Sequence, residues 1–366
     1  MKIAFRVDAS LSIGSGHVVR CLTLADALRK KGAHCVFITK AHSGNLIELI
    51  KSRTFDVFII PKEPHSSEEY IQNEKFWLGG TQRDDAIKTI ELCNFNNFVP
   101  DALITDHYSL DDSWEKIFQS HFPEAKIIVI DDLCNRKHEC YLLIDSTLER
   151  QSAEYKPFVS PECVLLTGTN YALLREDFAQ LRSLAVEKRK NIASPRKVLI
   201  TMGGVDINNI TGALLKKISN SIDTQIDLIT VVLGLSCPHK DEIKRIAKEC
   251  RFNVEVLINI NNMPQIMLEN DIAIGALGST TWERAVLGLP TINLAIAENQ
   301  LVIVEKLIDK GFIVFSDTDF SEEDLSCAWR KLQDEYQDLV ARSFALCDGA
   351  GLQRVVTSLC KMQVNI

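Results

Sequence analysis

The chain has no apolar run approaching the roughly 20 residues that cross a bilayer, so membrane insertion is not expected. Arg6 and Asp8 interrupt the first apolar stretch, KIAFRVDA, which excludes the h-region of a signal peptide. The basic excess of a general nucleic-acid binder is also missing. Across 366 residues, 41 Lys and Arg face 49 Asp and Glu, a formal net charge of −8. Ordered metal motifs are lacking too. Cys134, His138 and Cys140 in LCNRKHEC match no zinc spacing and no second pair follows, and the carboxylates form no calcium pattern. Neither a metal nor a cofactor is therefore expected. Eleven cysteines without a secretory segment read as reduced, mostly buried thiols of a cytoplasmic protein.

What is present is an ordinary globular composition, 46% hydrophobic and 25% charged, on a chain long enough for two domains. Short β-rich runs alternate with amphipathic segments. Strands are expected at Ile3–Val7, Cys35–Thr39, Val57–Ile60, Ala102–Thr105, Ile127–Ile130, Leu142–Ile144 and Val164–Leu166. A second series falls at Val198–Thr201, Ile229–Leu233, Val254–Leu257, Ile272–Ile274, Thr291–Leu294 and Ile313–Val314. Continuous apolar strands alternating with helices imply parallel sheets covered on both faces. The expectation is an α/β protein of two Rossmann-like domains whose sheets face a cleft. Residues 1–178 form the first domain, the charged stretch 179–196 a linker, and 197–366 the second domain, with the last helix a candidate for packing back on the first. A monomer is the expected state.

Both series open alike, with KIAFRVDASLSIGSGH and KVLITMGGVDINN running from a lysine through a strand into a glycine turn. In the first, Val18, Cys21, Leu22, Ala25 and Leu28 make an apolar helical stripe, so His17 sits at a helix start on the mouth of the sheet. A dinucleotide fingerprint is not met. Gly14-x-Gly16 supplies two glycines, Val19 takes the third position, and the second strand ends in Thr39-Lys40 rather than an acid. Arg20 opposes the dipole of its own helix and needs an anion; a bound phosphate and Asp8 are equal alternatives. An imidazole after Gly-Ser-Gly at that place suits a general base.

In the second half, Gly203-Gly204 lets backbone N–H groups approach a diphosphate, or is only a tight turn. The stretch IAIGALGSTTWERAVLGLPTINLAIAENQ is richer: a strand ends in a Gly278-Ser279-Thr280 turn that opens a helix. Thr280-x-x-Glu283 fits a capping box, and the same Glu283 can bind sugar hydroxyls. Asp106-His107-Tyr108 and Asp131-Asp132 add polar groups suited to a sugar.

Taken in order, RVDASLSIGSGHVVRCLTLADAL, DHYSLDDSWE, IDDLCNRKHEC, YALLREDF, TMGGVDINN and GALGSTTWERAVLGLPTI…AENQ resemble the UDP-2,4-diacetamido-2,4,6-trideoxy-β-L-altropyranose hydrolases of pseudaminic acid synthesis. That resemblance implies a glycosyltransferase-B-like fold and inverting hydrolysis of the UDP-sugar to free sugar and UDP. Its catalytic base falls on His17. Arg6, Asp8, Gly14, Gly16, Arg20, Asp106 and Tyr108 are the expected substrate contacts of the first half. Gly203, Gly204, Gly278, Ser279, Thr280, Glu283, Asn299 and Gln300 are those of the nucleotide half. The implied partners are the UDP-sugar and water. In the family the segment after NRKHEC continues with an acid and ends in Asp-Gln-Asn, whereas here it reads YLLIDSTLER, so the accepted sugar can differ near Asp145–Glu149.

Overall fold

Alternation along the strands decides where the first core lies. In β1 (Lys2–Val7) the residues Ile3, Phe5 and Val7 enter one apolar cluster, while Ala4 enters another on the opposite face. Strand β2 (His34–Lys40) follows the same rule, sending Cys35 and Phe37 one way and Val36 and Ile38 the other. A strand with apolar residues on both faces is stable only between two helical layers. The structure, a computed structural model, describes residues 1–62 and 73–361.

Five more strands complete this sheet: β3 (Asp56–Ile60), β4 (Ala102–Asp106), β5 (Lys126–Ile130), β6 (Leu142–Asp145) and β7 (Val164–Thr167). They run in the order β3-β2-β1-β4-β5-β6-β7, all neighbours parallel. The chain divides into two compact units, Met1–Leu173 with Gly351–Ile366, and Leu174–Ala350.

The second unit holds β8 (Lys197–Thr201), β9 (Leu228–Leu233), β10 (Val254–Ile258), β11 (Ile272–Ala276), β12 (Thr291–Leu294) and β13 (Ile313–Phe315). Its parallel sheet is ordered β10-β9-β8-β11-β12-β13. Each sheet is therefore Rossmann-like, with the order reversing beside its first strand. All thirteen strands lie within two residues of their sequence-expected ends. Among the described residues no helix is long and apolar enough to span a membrane.

One segment differs from the domain reading. The stretch 179–196, expected as a linker, lies largely in the helix Glu176–Lys190 of the second unit. Two of its arginines turn onto carbonyl groups, while Glu187 and Lys190 stay exposed and pair with each other. Arg182 donates to the carbonyls of Val286, Phe344 and Cys347, and fully buried Arg189 donates to those of Met267, Asn270 and Leu287. The helix Gly351–Lys361, the candidate for packing back on the first domain, does belong to the first unit. Leu352, Val355, Val356 and Leu359 join the core that also holds the helix Gly16–Lys30. Replacing Leu359 with Ala is expected to destabilise the first unit by about 2–5 kcal/mol, seen in urea unfolding as an earlier transition of that unit.

Candidate active site

The reversal of strand order in the first sheet brings β1 beside β4, with Val7 in register with Asp106. After β1 the chain turns through residues 8–15. Ser10 Oγ accepts the N–H groups of Ser12 and Ile13, and Gly14 takes φ +77°, a conformation that glycine adopts without strain. The helix then starts at Gly16, which makes His17 its second residue.

His17 Nδ1 lies 2.5 Å from Asp106 Oδ1. Arg20, one turn further along, donates from Nε and Nη2 to the two oxygens of the same carboxylate, at 2.6 and 2.7 Å. Its Nη1 reaches Asp132 Oδ2 just beyond β5, at 2.6 Å, where the Tyr108 hydroxyl also donates at 2.6 Å. The helix that follows β1 and the ends of β4 and β5 thus supply one charged network. Burial by itself would raise the Asp106 pKa, but Arg20 and then His17 outweigh it and hold that carboxyl well below the usual range. With Nδ1–H donated to an ionised Asp106, Nε2 carries the imidazole lone pair. The His17 side chain keeps 9% of its surface exposed while that of Asp106 keeps none. Tyr108 presents its ring at 4.5 Å and 78° to the imidazole, and Trp77 stacks on Tyr108 at 5.8 Å.

Arg20 therefore pairs with Asp106 and Asp132 rather than with Asp8. Arg6 and Asp8, expected to contact substrate, are both fully buried and bind each other at 2.6 Å. Arg6 also holds Asp85, which accepts the Trp114 indole N–H, while Asp8 accepts the Lys40 backbone N–H. These two residues brace the turn from beneath. A buried guanidinium requires carboxylates nearby, and Asp85, far along the chain, carried no local pattern to reveal it. His107 Nε2 approaches Asp8 at 3.3 Å, and His138 of the LCNRKHEC stretch binds Glu115 at 2.7 Å. Among the described residues no group of three His, Cys, Asp or Glu side chains is arranged for a metal ion.

In the second unit Gly203 and Gly204 occupy the turn after β8. The following helix, Ile210–Ser221, is capped by its own chain: Asp206 accepts from the N–H groups of Ile210 and Thr211, and Asn209 from that of Gly212. The helix Ser279–Val286 differs. Gly278 stands at its cap position and offers no side chain to its N–H groups. The capping box expected from Thr280 and Glu283 does not form, because the helix begins earlier; Thr281 Oγ1 accepts from the Gly278 N–H instead, at 3.2 Å. Half-buried Glu283 is thereby left out of the cap. Burial pushes its carboxyl up to about 7, against the pull of Arg175 and Arg284.

Arg284 is itself buried and donates to the Ala276 carbonyl and to Asn293. A Cβ on Gly275 would lie 2.6 Å from its guanidinium, so that strand-end glycine makes room for the arginine. Gln300 turns its amide oxygen onto the Ile296 N–H, at 2.8 Å. The Asn299 side chain lies outside what the structure describes.

Sequence reasoning did not single out Trp77, Asp85 or Lys40. Only Trp77 left a signal, an aromatic beside the Gly79-Gly80 pair. Removing the Arg20 side chain would leave Asp106 buried with only the imidazole and the weak Cys21 thiol donor. Arg20→Ala is expected to cost about 3–5 kcal/mol in urea unfolding. Arg20→Lys should recover only part of this, since one ammonium cannot span two carboxylates as a guanidinium does.

No family model matches the chain. It is 27% identical over 300 residues to an uncharacterized protein of Methanocaldococcus jannaschii, the match covering 80% of this chain and 55% of that one. It is 26% identical over 315 residues to the UDP-2,4-diacetamido-2,4,6-trideoxy-β-L-altropyranose hydrolase of Campylobacter jejuni, covering 86% of this chain and 98% of that protein. The spore coat polysaccharide biosynthesis protein SpsG of Bacillus subtilis is 22% identical, with 85% and 82% covered. Among solved structures, MurG of Acinetobacter baumannii superposes with a TM-score of 0.68 at 12% identity over 98% of this chain and 99% of its own. A calicheamicin glycosyltransferase does so with a TM-score of 0.63 at 12% identity, over 98% and 97%. The chain is thus a sequence relative of the Campylobacter UDP-sugar hydrolase and of SpsG, built on the two-unit fold of the glycosyltransferase-B enzymes.

Proposed function

We propose that the chain hydrolyses UDP-2,4-diacetamido-2,4,6-trideoxy-β-L-altropyranose to the free sugar and UDP, with His17 as the general base. The observation that carries this reading is the bond from His17 Nδ1 to an Asp106 already clamped by Arg20. It fixes the tautomer and ring orientation, so that Nε2 is the atom that takes a proton. Water attacks the anomeric carbon, its proton passes to Nε2, and the bond to the diphosphate breaks on the opposite face. The configuration inverts. Asp106 stays ionised throughout and balances the imidazolium as it forms.

The nucleotide is assigned to the second unit. The helix starting at Ser279 has no side-chain cap, so its first N–H groups can meet the diphosphate and stabilise the charge that develops as UDP leaves. This reading ranks that turn above Gly203-Gly204 for the phosphates, since the helix beyond those glycines is capped by Asp206 and Asn209. Glu283, free of the capping role, is assigned to the ribose hydroxyls.

The reaction is tested by incubating the purified chain with this UDP-sugar and no acceptor, following both products by NMR. Free sugar and UDP in equal amounts are expected. An absolute need for an alcohol acceptor would replace hydrolysis with glycosyl transfer. His17→Ala should lower kcat by about 10²–10⁴-fold with UDP affinity kept, and near-normal turnover would reject the base. For Glu283 the sign follows from its raised pKa. The folded state holds this proton until about 7 whereas the unfolded chain releases it near 4.5, so the group's contribution to stability falls as pH rises between the two. Ribose hydroxyls donate to the ionised form, so UDP affinity measured by calorimetry should rise with pH through about 7. In Glu283→Gln that dependence should be lost.

A further inference from the structure

Cys140 and Cys163 stand just before β6 and β7, which are hydrogen-bonded neighbours with Leu142 in register with Val164. The Val164 N–H donates to the Tyr141 carbonyl at 2.9 Å, fixing the two backbones side by side. The sulfurs are 3.6 Å apart, in direct contact. A disulfide bond is about 2.05 Å long, so side-chain rotation has to close only the remaining gap. The two thiols differ in access. Cys140 is buried at 8% exposure beside Leu143 and Tyr155 in the apolar cluster, while Cys163 is half-exposed at its margin.

We propose that Cys140 and Cys163 are a peroxide-oxidisable thiol pair, with Cys163 attacked first and Cys140 resolving it to a reversible disulfide. Contact with the Cys140 thiol lowers the pKa of the outer thiol against the opposing effect of burial. The thiolate is the nucleophile. The Cys163 thiolate attacks one peroxide oxygen, the O–O bond breaks, and a sulfenic acid forms with release of hydroxide. Cys140 then attacks the Cys163 sulfur and gives up its proton as water leaves. Two thiols are oxidised by two electrons in total, and the peroxide is reduced to two waters.

The resulting loop spans residues that support the site described above. Tyr155 lies within it and donates from a hydroxyl 2.7 Å from both Asp131 and Asp145. Asp131 immediately precedes Asp132, the carboxylate on Arg20 and Tyr108. The bond would tie the start of β6 to the start of β7 next to this bridge. The proposal does not depend on the reaction assigned to His17.

The test treats the full chain with hydrogen peroxide, alkylates the remaining thiols, and maps the digest by mass spectrometry. A Cys140–Cys163 cross-linked peptide is expected, with both cysteines lost from the alkylated pool and restored by dithiothreitol. Cys163→Ser should abolish the cross-link, whereas Cys327→Ser, at an exposed position, should leave it intact. Sulfinic acid on Cys163 with Cys140 still alkylatable would overturn the proposal. So would cross-links formed only among other cysteines. Because the wild-type map is read directly, the outcome does not rest on how well a variant folds.

Discussion

One buried carboxylate organises the first unit. Asp106 is removed from water at the end of β4, and an ion so placed requires compensating charge within hydrogen-bond reach. Arg20 provides it from the helix that follows β1, and Asp132 and Tyr108 extend the network to β5. The same carboxylate fixes the imidazole of His17. The carboxylate that orients the ring is therefore the one that Arg20 compensates. A second layer, Arg6 with Asp8 and Asp85, repeats the solution directly below the turn.

The second unit uses cations differently. Arg182 and Arg189 of one helix spread their donors over carbonyl groups at the ends of neighbouring segments. Helix C-terminal carbonyls lack partners within their own helix, and a guanidinium satisfies several at once. Two arginines of a stretch that looks solvated are thereby turned inward, while Glu187 and Lys190 remain at the surface. Arg284 plays a related part under β11 and β12, and the glycine at position 275 is the space it needs. With Thr281 closing the Gly278 N–H, Glu283 is left as a half-buried carboxyl that favours its proton more than usual. The likeness to glycosyltransferase-B structures thus accompanies two strand-reversal points with opposite chemistry. One is a cationic bridge over carboxylates, the other a helix start without a side-chain cap.

Legibility from sequence followed the range of the forces involved. The strands and the stripe of the helix Gly16–Lys30 were visible because burial on both faces imposes a local periodicity. The turn around Gly14 and His17 was visible for the same reason, since glycine, helix start and strand end occur within a few residues. The partner of Arg20 was not. Asp8 is close in sequence, yet it is consumed by Arg6, whose other carboxylate, Asp85, comes from a distant helix. The linker reading of 179–196 failed on the same ground, because the carbonyls that receive its arginines lie some 80 to 165 residues away.

The sequence by itself determined the alternation of strands and helices, two parallel sheets, and a histidine at the first strand-to-helix turn, because each is encoded by neighbours within one or two turns of chain. Only the tertiary structure decided which carboxylate holds that histidine, which arginines face inward, and which of the two glycine turns leaves its helix uncapped. Those outcomes are set by desolvation, and desolvation depends on what the rest of the fold brings alongside.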